Sequence, residues 1–142
     1  MKEETSNIEN AREIIKRADL RATKQRLDIV SVLLVSTTPL SIEKILEKCK
    51  GKIPDVATVY RTMRELTEAK LVDSVDIGHG HAHFEIRRGD HHHLVCEKCG
   101  KTAEIENCEI ESFEKKVLKR EKYFKTIHGH RLTFFGLCKR CV

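Results

Sequence analysis

Cys96-Glu97-Lys98-Cys99 and Cys138-Lys139-Arg140-Cys141 are two Cys-x-x-Cys pairs with 38 residues between them. Thiolates are soft ligands, and two such pairs make the four-sulfur tetrahedron that zinc favours, closed to solvent and structural in role. Free thiols and disulfides are the competing readings. Three histidines, His91, His92 and His93, run directly into the first pair. If Asp90 to Val95 is extended, successive side chains point to opposite faces. His91 and His93 then share one face and Asp90 and His92 the other, so one short segment can serve two metal sites. The same alternation groups His81, His83 and Glu85. Glu104 follows Cys99 by five residues, Glu111 opens an amphipathic helix, and His128 and His130 alternate on a late strand. His79 and His130 read better as hydrogen-bonded residues than as ligands. Mixed imidazole and carboxylate ligation suits divalent iron, manganese, zinc, nickel or cobalt, held more exchangeably than in a four-thiolate site. Cys49 reads as a small apolar residue. Cys108, close to Glu104 and Glu111, reads less readily as an extra soft ligand or a redox-sensitive thiol.

The elements that must position these groups follow from periodicity. Ile8, Ala11, Ile14, Ile15 and Ala18 recur at helical spacing. Thr23 caps a second helix, Lys24 to Ser36, that buries Leu27, Val30, Leu33 and Leu34. Thr37-Thr38-Pro39 breaks it. Ser41 caps a third helix through Cys49, and Asp55 opens a fourth, Val56 to Ala69. Leu71 to Ile77 and Ala82 to Ile86 read as a hairpin about Gly78-His79-Gly80. Three short helices and a hairpin are the order of a winged helix-turn-helix, whose last helix before the wing enters the major groove. Thr58, Tyr60, Arg61 and Arg64 lie on that fourth helix and suit contacts to thymine methyls, guanine or phosphate. A solvated face of an ordinary bundle is the bland alternative. Arg21, Lys24 and Arg26 could hold phosphates, and a solvated basic face fits them equally well.

Beyond the hairpin the composition changes: seven of eight histidines and five of six cysteines lie within residues 81–142. We divide the chain into an N-terminal domain, residues 1–80, and a C-terminal α/β domain, 81–142, with the boundary near 78–84. Strands are predicted at Leu94–Cys96, Thr102–Glu106, Tyr123–Ile127 and Arg131–Leu137, and a helix at Ile110–Glu121. The fold class is α+β. Exposable strand edges in so small a unit point to a homodimer.

Net charge is +5, with 14 Lys and Arg against 13 Asp and Glu in residues 1–78 and 13 against 9 in residues 79–142. The half assigned to DNA is nearly neutral, so its DNA binding must rest on particular residues rather than on bulk charge. No apolar run approaches the roughly 18 residues of a membrane span, and the charged N-terminus lacks a signal-peptide core. A cytoplasmic location is therefore expected, where CxxC pairs hold metal rather than disulfides.

Arg21-Ala-Thr-Lys-Gln-Arg26, Ala57-Thr-Val-Tyr-Arg-Thr-Met63 with Leu66 and Leu71-Val72, His91-His-His-Leu-Val-Cys-Glu-Lys-Cys-Gly100 and Gly136-Leu-Cys-Lys-Arg-Cys141 together resemble the ferric uptake regulator (Fur) family of metal-responsive repressors. The resemblance covers residues from about 12 to 142, with the motifs in order. It implies a homodimer with an N-terminal winged helix and a C-terminal dimerisation domain, binding AT-rich palindromic operators when loaded with metal. By resemblance, Cys96, Cys99, Cys138 and Cys141 match a structural zinc site. Glu85, His91, His93 and Glu104 match four of five ligands of a regulatory site between the domains. Asp90, His92, Glu111 and His128 match a further site. Tyr60 and Arg61 match operator-contacting residues, and Arg21 a basic residue in the minor groove. The family's fifth regulatory ligand is usually a histidine just before the third helix. Here Thr38, or its neighbour Thr37 or Ser41, occupies that place. The clamp must use another residue, His81 or His83 from the wing, or be absent.

Peroxide sensors of the family typically carry aspartates where this chain has Glu85 and Glu104, and they use the histidine replaced here. Iron(II) is thus the first expectation for the regulatory metal, manganese(II) or zinc(II) the second and peroxide sensing the last. A zinc hydrolase would need an open metal position beside a general base, and no HExxH or comparable motif is present. A zinc-ribbon interaction module would leave the Tyr60-Arg61 helix and the second ligand set unexplained. No enzymatic activity, small-molecule substrate or membrane partner is expected.

Overall fold

A computed structural model describes residues 2–89, 91–106 and 109–142. Asp90 and Cys108 lie outside the described residues, so the readings placed on them are not addressed. The chain forms two compact units, Met1–Arg87 and Arg88–Val142. This division falls later than the 80/81 boundary expected from composition, because the returning wing strand is hydrogen-bonded into the first sheet.

The first unit contains α1 (Lys2–Arg17), α2 (Lys24–Leu34), β1 (Leu40–Ser41), α3 (Ile42–Lys48), α4 (Val56–Glu68), β2 (Val72–Val75) and β3 (His83–Ile86). The helices α2, α3 and α4 each start where a side chain can take an orphan amide. Thr23 accepts from Arg26 N, Ser41 from Lys44 N, and Asp55 from Thr58 N at 2.7 Å. Asp55→Ala is expected to lower thermal stability by about 1 kcal/mol through loss of the α4 cap. Denaturant unfolding of the first unit's signal checks it, and an unchanged midpoint would mean that the cap is redundant.

The apolar faces converge on one core, in which Ile15, Ile29, Leu33, Ile45, Met63 and Leu66 are fully buried. At about 1.5–3 kcal/mol per side chain, this core supplies most of what holds the helices together. The sheet order is β1-β3-β2, all antiparallel, with Ser41↔His83 and Val75↔His83 in register. The expected winged helix is thus present, with a short third strand, β1, that the sequence did not announce. Two residues carry too little pattern to be read as a strand.

The second unit contains β4 (His91–Cys96), β5 (Thr102–Glu106), α5 (Glu111–Arg120) and β6 (Thr133–Gly136). Its sheet order is β5-β4-β6, with β4 antiparallel to β5 and parallel to β6. The strand expected at Tyr123–Ile127 is not formed. Glu121 Oε1 accepts from the amides of Lys122 and Tyr123, which turns the chain, and Tyr123 and Phe124 are exposed. No residue of α5 is buried, and Val95 and Cys96 are the only buried apolar residues among the described residues of this unit.

Candidate metal centres and nucleic-acid face

β4 ends at Cys96, and the parallel pairing of Cys96 with Gly136 delivers Cys138 to the same place. The Cys138 amide donates to Cys96 Sγ at 3.3 Å, and Cys99 Sγ lies 3.7 Å from Cys138 Sγ. All four sulfurs, with that of Cys141, lie within 4.8 Å of one another. A zinc–sulfur bond of about 2.3 Å gives a tetrahedron edge of about 3.8 Å, so the spacing fits zinc. The thiol acidities tell the same story. The Cys138 and Cys99 amides lower Cys96 to about 6, whereas Cys141, sharing its proton with Cys138 and then Cys99, is pushed up to about 12. Four crowded thiols cannot all ionise unless a cation joins them.

On one face of β4 the rings of His91 and His93 stand 5.0 Å apart, and His93 is in register with Glu104 of β5. The ligating atoms of His91, His93 and Glu104 lie within 4.8 Å of one another. His91 donates Nδ1–H to Gly89 O at 2.9 Å, a backbone contact that fixes the orientation of its ring. Glu104 Oε1 is buried, accepts no hydrogen bond, and has Arg88 Nη2 no nearer than 3.7 Å. A buried carboxylate oxygen without a hydrogen, facing two imidazoles, fits a divalent cation. Glu85 belongs to the first unit, on β3, and is 5 % exposed.

The other face of β4 departs from expectation. His92 Nε2 and His130 Nε2 are 3.2 Å apart, and His130 Nδ1 is 2.9 Å from Glu114 Oε1. His128 instead pairs with Thr126 Oγ1, and Glu111 is exposed in the first turn of α5. The residues gathered about His92 are therefore His130 and Glu114, not His128 and Glu111. The two histidines alternate, so choosing between them required the β4–β6 register. Glu114 lies one turn further along α5 than Glu111.

In the first unit, Tyr60, Arg61 and Arg64 are exposed on α4, as is Arg21 ahead of α2. Thr58 is not part of that face: it is 7 % exposed, turned inward, with its amide held by Asp55. Arg26 is likewise committed, donating to Glu65 Oε2 and to Arg21 O, each at 2.7 Å. It braces α4 against α2, while Arg21, Lys24, Arg61 and Arg64 are turned outward, Arg64 with Glu68 Oε1 at 3.9 Å.

Residues 17–135 match the ferric uptake regulator family. The chain is 38 % identical to a ferric uptake regulation protein of Bacillus subtilis, with 96 % of this chain and 95 % of that protein covered. The chain belongs to the ferric uptake regulator family. It is also 32 % identical to the Bacillus subtilis peroxide operon regulator, covering 94 % of this chain and 92 % of that one. Its structure resembles that of the Helicobacter pylori ferric uptake regulator, described as having three functional metal-binding sites, with a TM-score of 0.73 and 32 % identity over 97 % of this chain and 93 % of that one.

As a Fur family member the protein is a metal-responsive transcriptional regulator and not an enzyme. No helix among the described residues is long and apolar enough to cross a membrane. Ser41 spends its hydroxyl on the α3 cap, and Thr38 sits in a tight turn in which its carbonyl accepts from Ser36 Oγ.

Proposed function

We propose that this Fur family regulator is a homodimeric repressor that binds AT-rich palindromic operators when iron(II) is held by His91, His93, Glu104 and Glu85. The observation that carries this reading is the buried oxygen of Glu104, which accepts no hydrogen bond, on the strand face that brings His91 and His93 together. Two carboxylates and two imidazoles suit iron(II) or manganese(II) and lack the sulfur that would favour a soft ion. An ion bound by groups from both units restricts their relative orientation. If DNA selects the same orientation, each ligand tightens the other by the same factor. Zinc at the four cysteines serves as a staple rather than a sensor. The additional site keeps Asp90 and His92 from the sequence, and His130, hydrogen-bonded to His92 and to Glu114, stands beside it.

A second copy of the chain is the partner that the apolar surface supports. Phe113, Val117, Phe134, Phe135 and Leu137 of the small second unit are exposed, and β6 is an edge strand. Apolar exposure on this scale marks an interface. A dimer of winged helices reaches half-sites roughly one helical turn apart.

The test is operator binding by zinc-loaded protein titrated without oxygen with iron(II), manganese(II) and added zinc(II), with metal content measured alongside. Tight binding that appears with iron(II) supports the reading. Equal binding with structural zinc alone would remove the sensing site, and a response to manganese(II) or zinc(II) only would change the effector. On the DNA side, Arg61→Ala is expected to weaken operator affinity by about 1–3 kcal/mol with metal content unchanged. Unaltered affinity would take Arg61 out of the interface.

A further inference from the structure

His79, His81 and His83 are a second concentration of imidazoles, confined to the first unit. The rings of His81 and His83 are 4.7 Å apart, and that of His79 lies 5.7 Å from His83 and 6.2 Å from His81. Two of the three are oriented alike. His81 Nδ1 lies 3.0 Å from His79 O, and His83 Nδ1 lies 3.3 Å from His81 O. A carbonyl can only accept, so each Nδ1 carries the hydrogen and each Nε2 keeps its lone pair. That backbone anchoring is how metal-binding imidazoles are commonly held, and His91 is held in the same way by Gly89 O. Glu43, in the first turn of α3, lies within electrostatic reach of His81 and His83, so the cluster has an acidic neighbour.

From these contacts we infer that His79, His81 and His83 form a metal site of their own in the wing, taking a borderline divalent ion such as nickel(II), copper(II) or zinc(II). Imidazoles without thiolates select this class. With metal–nitrogen bonds of about 2.1 Å, rings on one ion stand about 4.5–5.2 Å apart, a spacing His81 and His83 already have. His79 must swing inward by about 1 Å. It is exposed and flanked by Gly78 and Gly80, at φ +79° and +75°, a backbone that has no packed side chain to displace. The ion would tie the tip of the wing to β3 and add two positive charges to a half of the chain whose own charges nearly cancel. Phosphate contacts by a wing strengthen with such charge. This site is distinct from the iron(II) site proposed above, because it draws no ligand from the second unit.

The test is equilibrium dialysis of the full-length, zinc-containing protein against nickel(II), comparing wild type, His79→Gln/His81→Gln, and His91→Ala/Glu104→Ala. Both glutamine substitutions fall on exposed positions and leave the core untouched. The wing variant is expected to bind one nickel equivalent per chain fewer than wild type, or to bind it about 100-fold more weakly, with zinc content unchanged. The His91→Ala/Glu104→Ala variant is expected to keep that equivalent. Nickel binding unaffected by the wing substitutions would overturn the inference. So would loss of the same equivalent in the His91→Ala/Glu104→Ala variant, which would make the wing histidines part of the regulatory site. Failure of the regulatory reading alone would leave the wing equivalent in place.

Discussion

Cys96→Ser is expected to give a chain with no zinc at the four-sulfur site, with the second unit unfolded and the protein monomeric. The size of the effect follows from how little else holds that unit. Its described residues bury only Val95 and Cys96 as apolar side chains, and α5 buries none. Full burial of one valine contributes about 1.5–3 kcal/mol, whereas closure of a structural zinc site contributes about 10–16 kcal/mol at neutral pH. Ordering more than fifty residues on the former alone is not possible. The first unit, with its own continuous core, should keep its helices in the variant. Metal content, size-exclusion and the dispersion of amide resonances distinguish the two halves. A zinc-free variant that remains dimeric and folded in both units would refute the structural role of the four cysteines.

His93→Ala is the second large effect. His93 is 4 % exposed, in register with Glu104 and beside His91, so no neighbour can take its place. The variant should retain its structural zinc and dimeric state and lose the gain in operator affinity on adding iron(II). Coupling between a metal and DNA typically amounts to about 1–3 kcal/mol, so affinity in the presence of metal should fall about 5–150-fold, to the level without it. Unchanged metal-dependent binding would exclude His93 from sensing. A fall equal in the presence and absence of metal would point to damage of the fold instead.

The sequence made α2, α3 and α4 legible because each begins at a side chain whose capping chemistry is local: Thr23, Ser41 and Asp55 all cap as read. The two faces of β4 were legible for the same reason, since strand alternation is a local rule and it paired His91 with His93. The cysteine pairs were legible from spacing alone. What failed was whatever depended on register or on burial between distant elements. Choosing His130 over His128 needed the parallel pairing of β4 with β6. Thr58 looked like a DNA-facing residue until the packing of α4 turned it inward, and Arg26 like a phosphate ligand until Glu65 claimed it. Glu104 was noted in the sequence by its spacing from Cys99, and the resemblance to the family then grouped it with His91 and His93.

The parallel pairing of β4 with β6 has a consequence in time. Residues 91–96 must find residues 133–136 across an intervening strand and helix, whereas α1 packs on the adjacent α2 and α3 on the adjacent α4. Sequence-distant pairing is slow, and local helical contacts form quickly. In each newly made chain the first unit should therefore be folded while Cys96 and Cys99 still wait for Cys138 and Cys141. Throughout that interval four reduced thiols stand unprotected, without the Cys138 amide that lowers Cys96 in the folded unit. Ion supply and oxidant then compete for the same sulfurs, and whichever arrives first decides whether the chain becomes a regulator or a dead end.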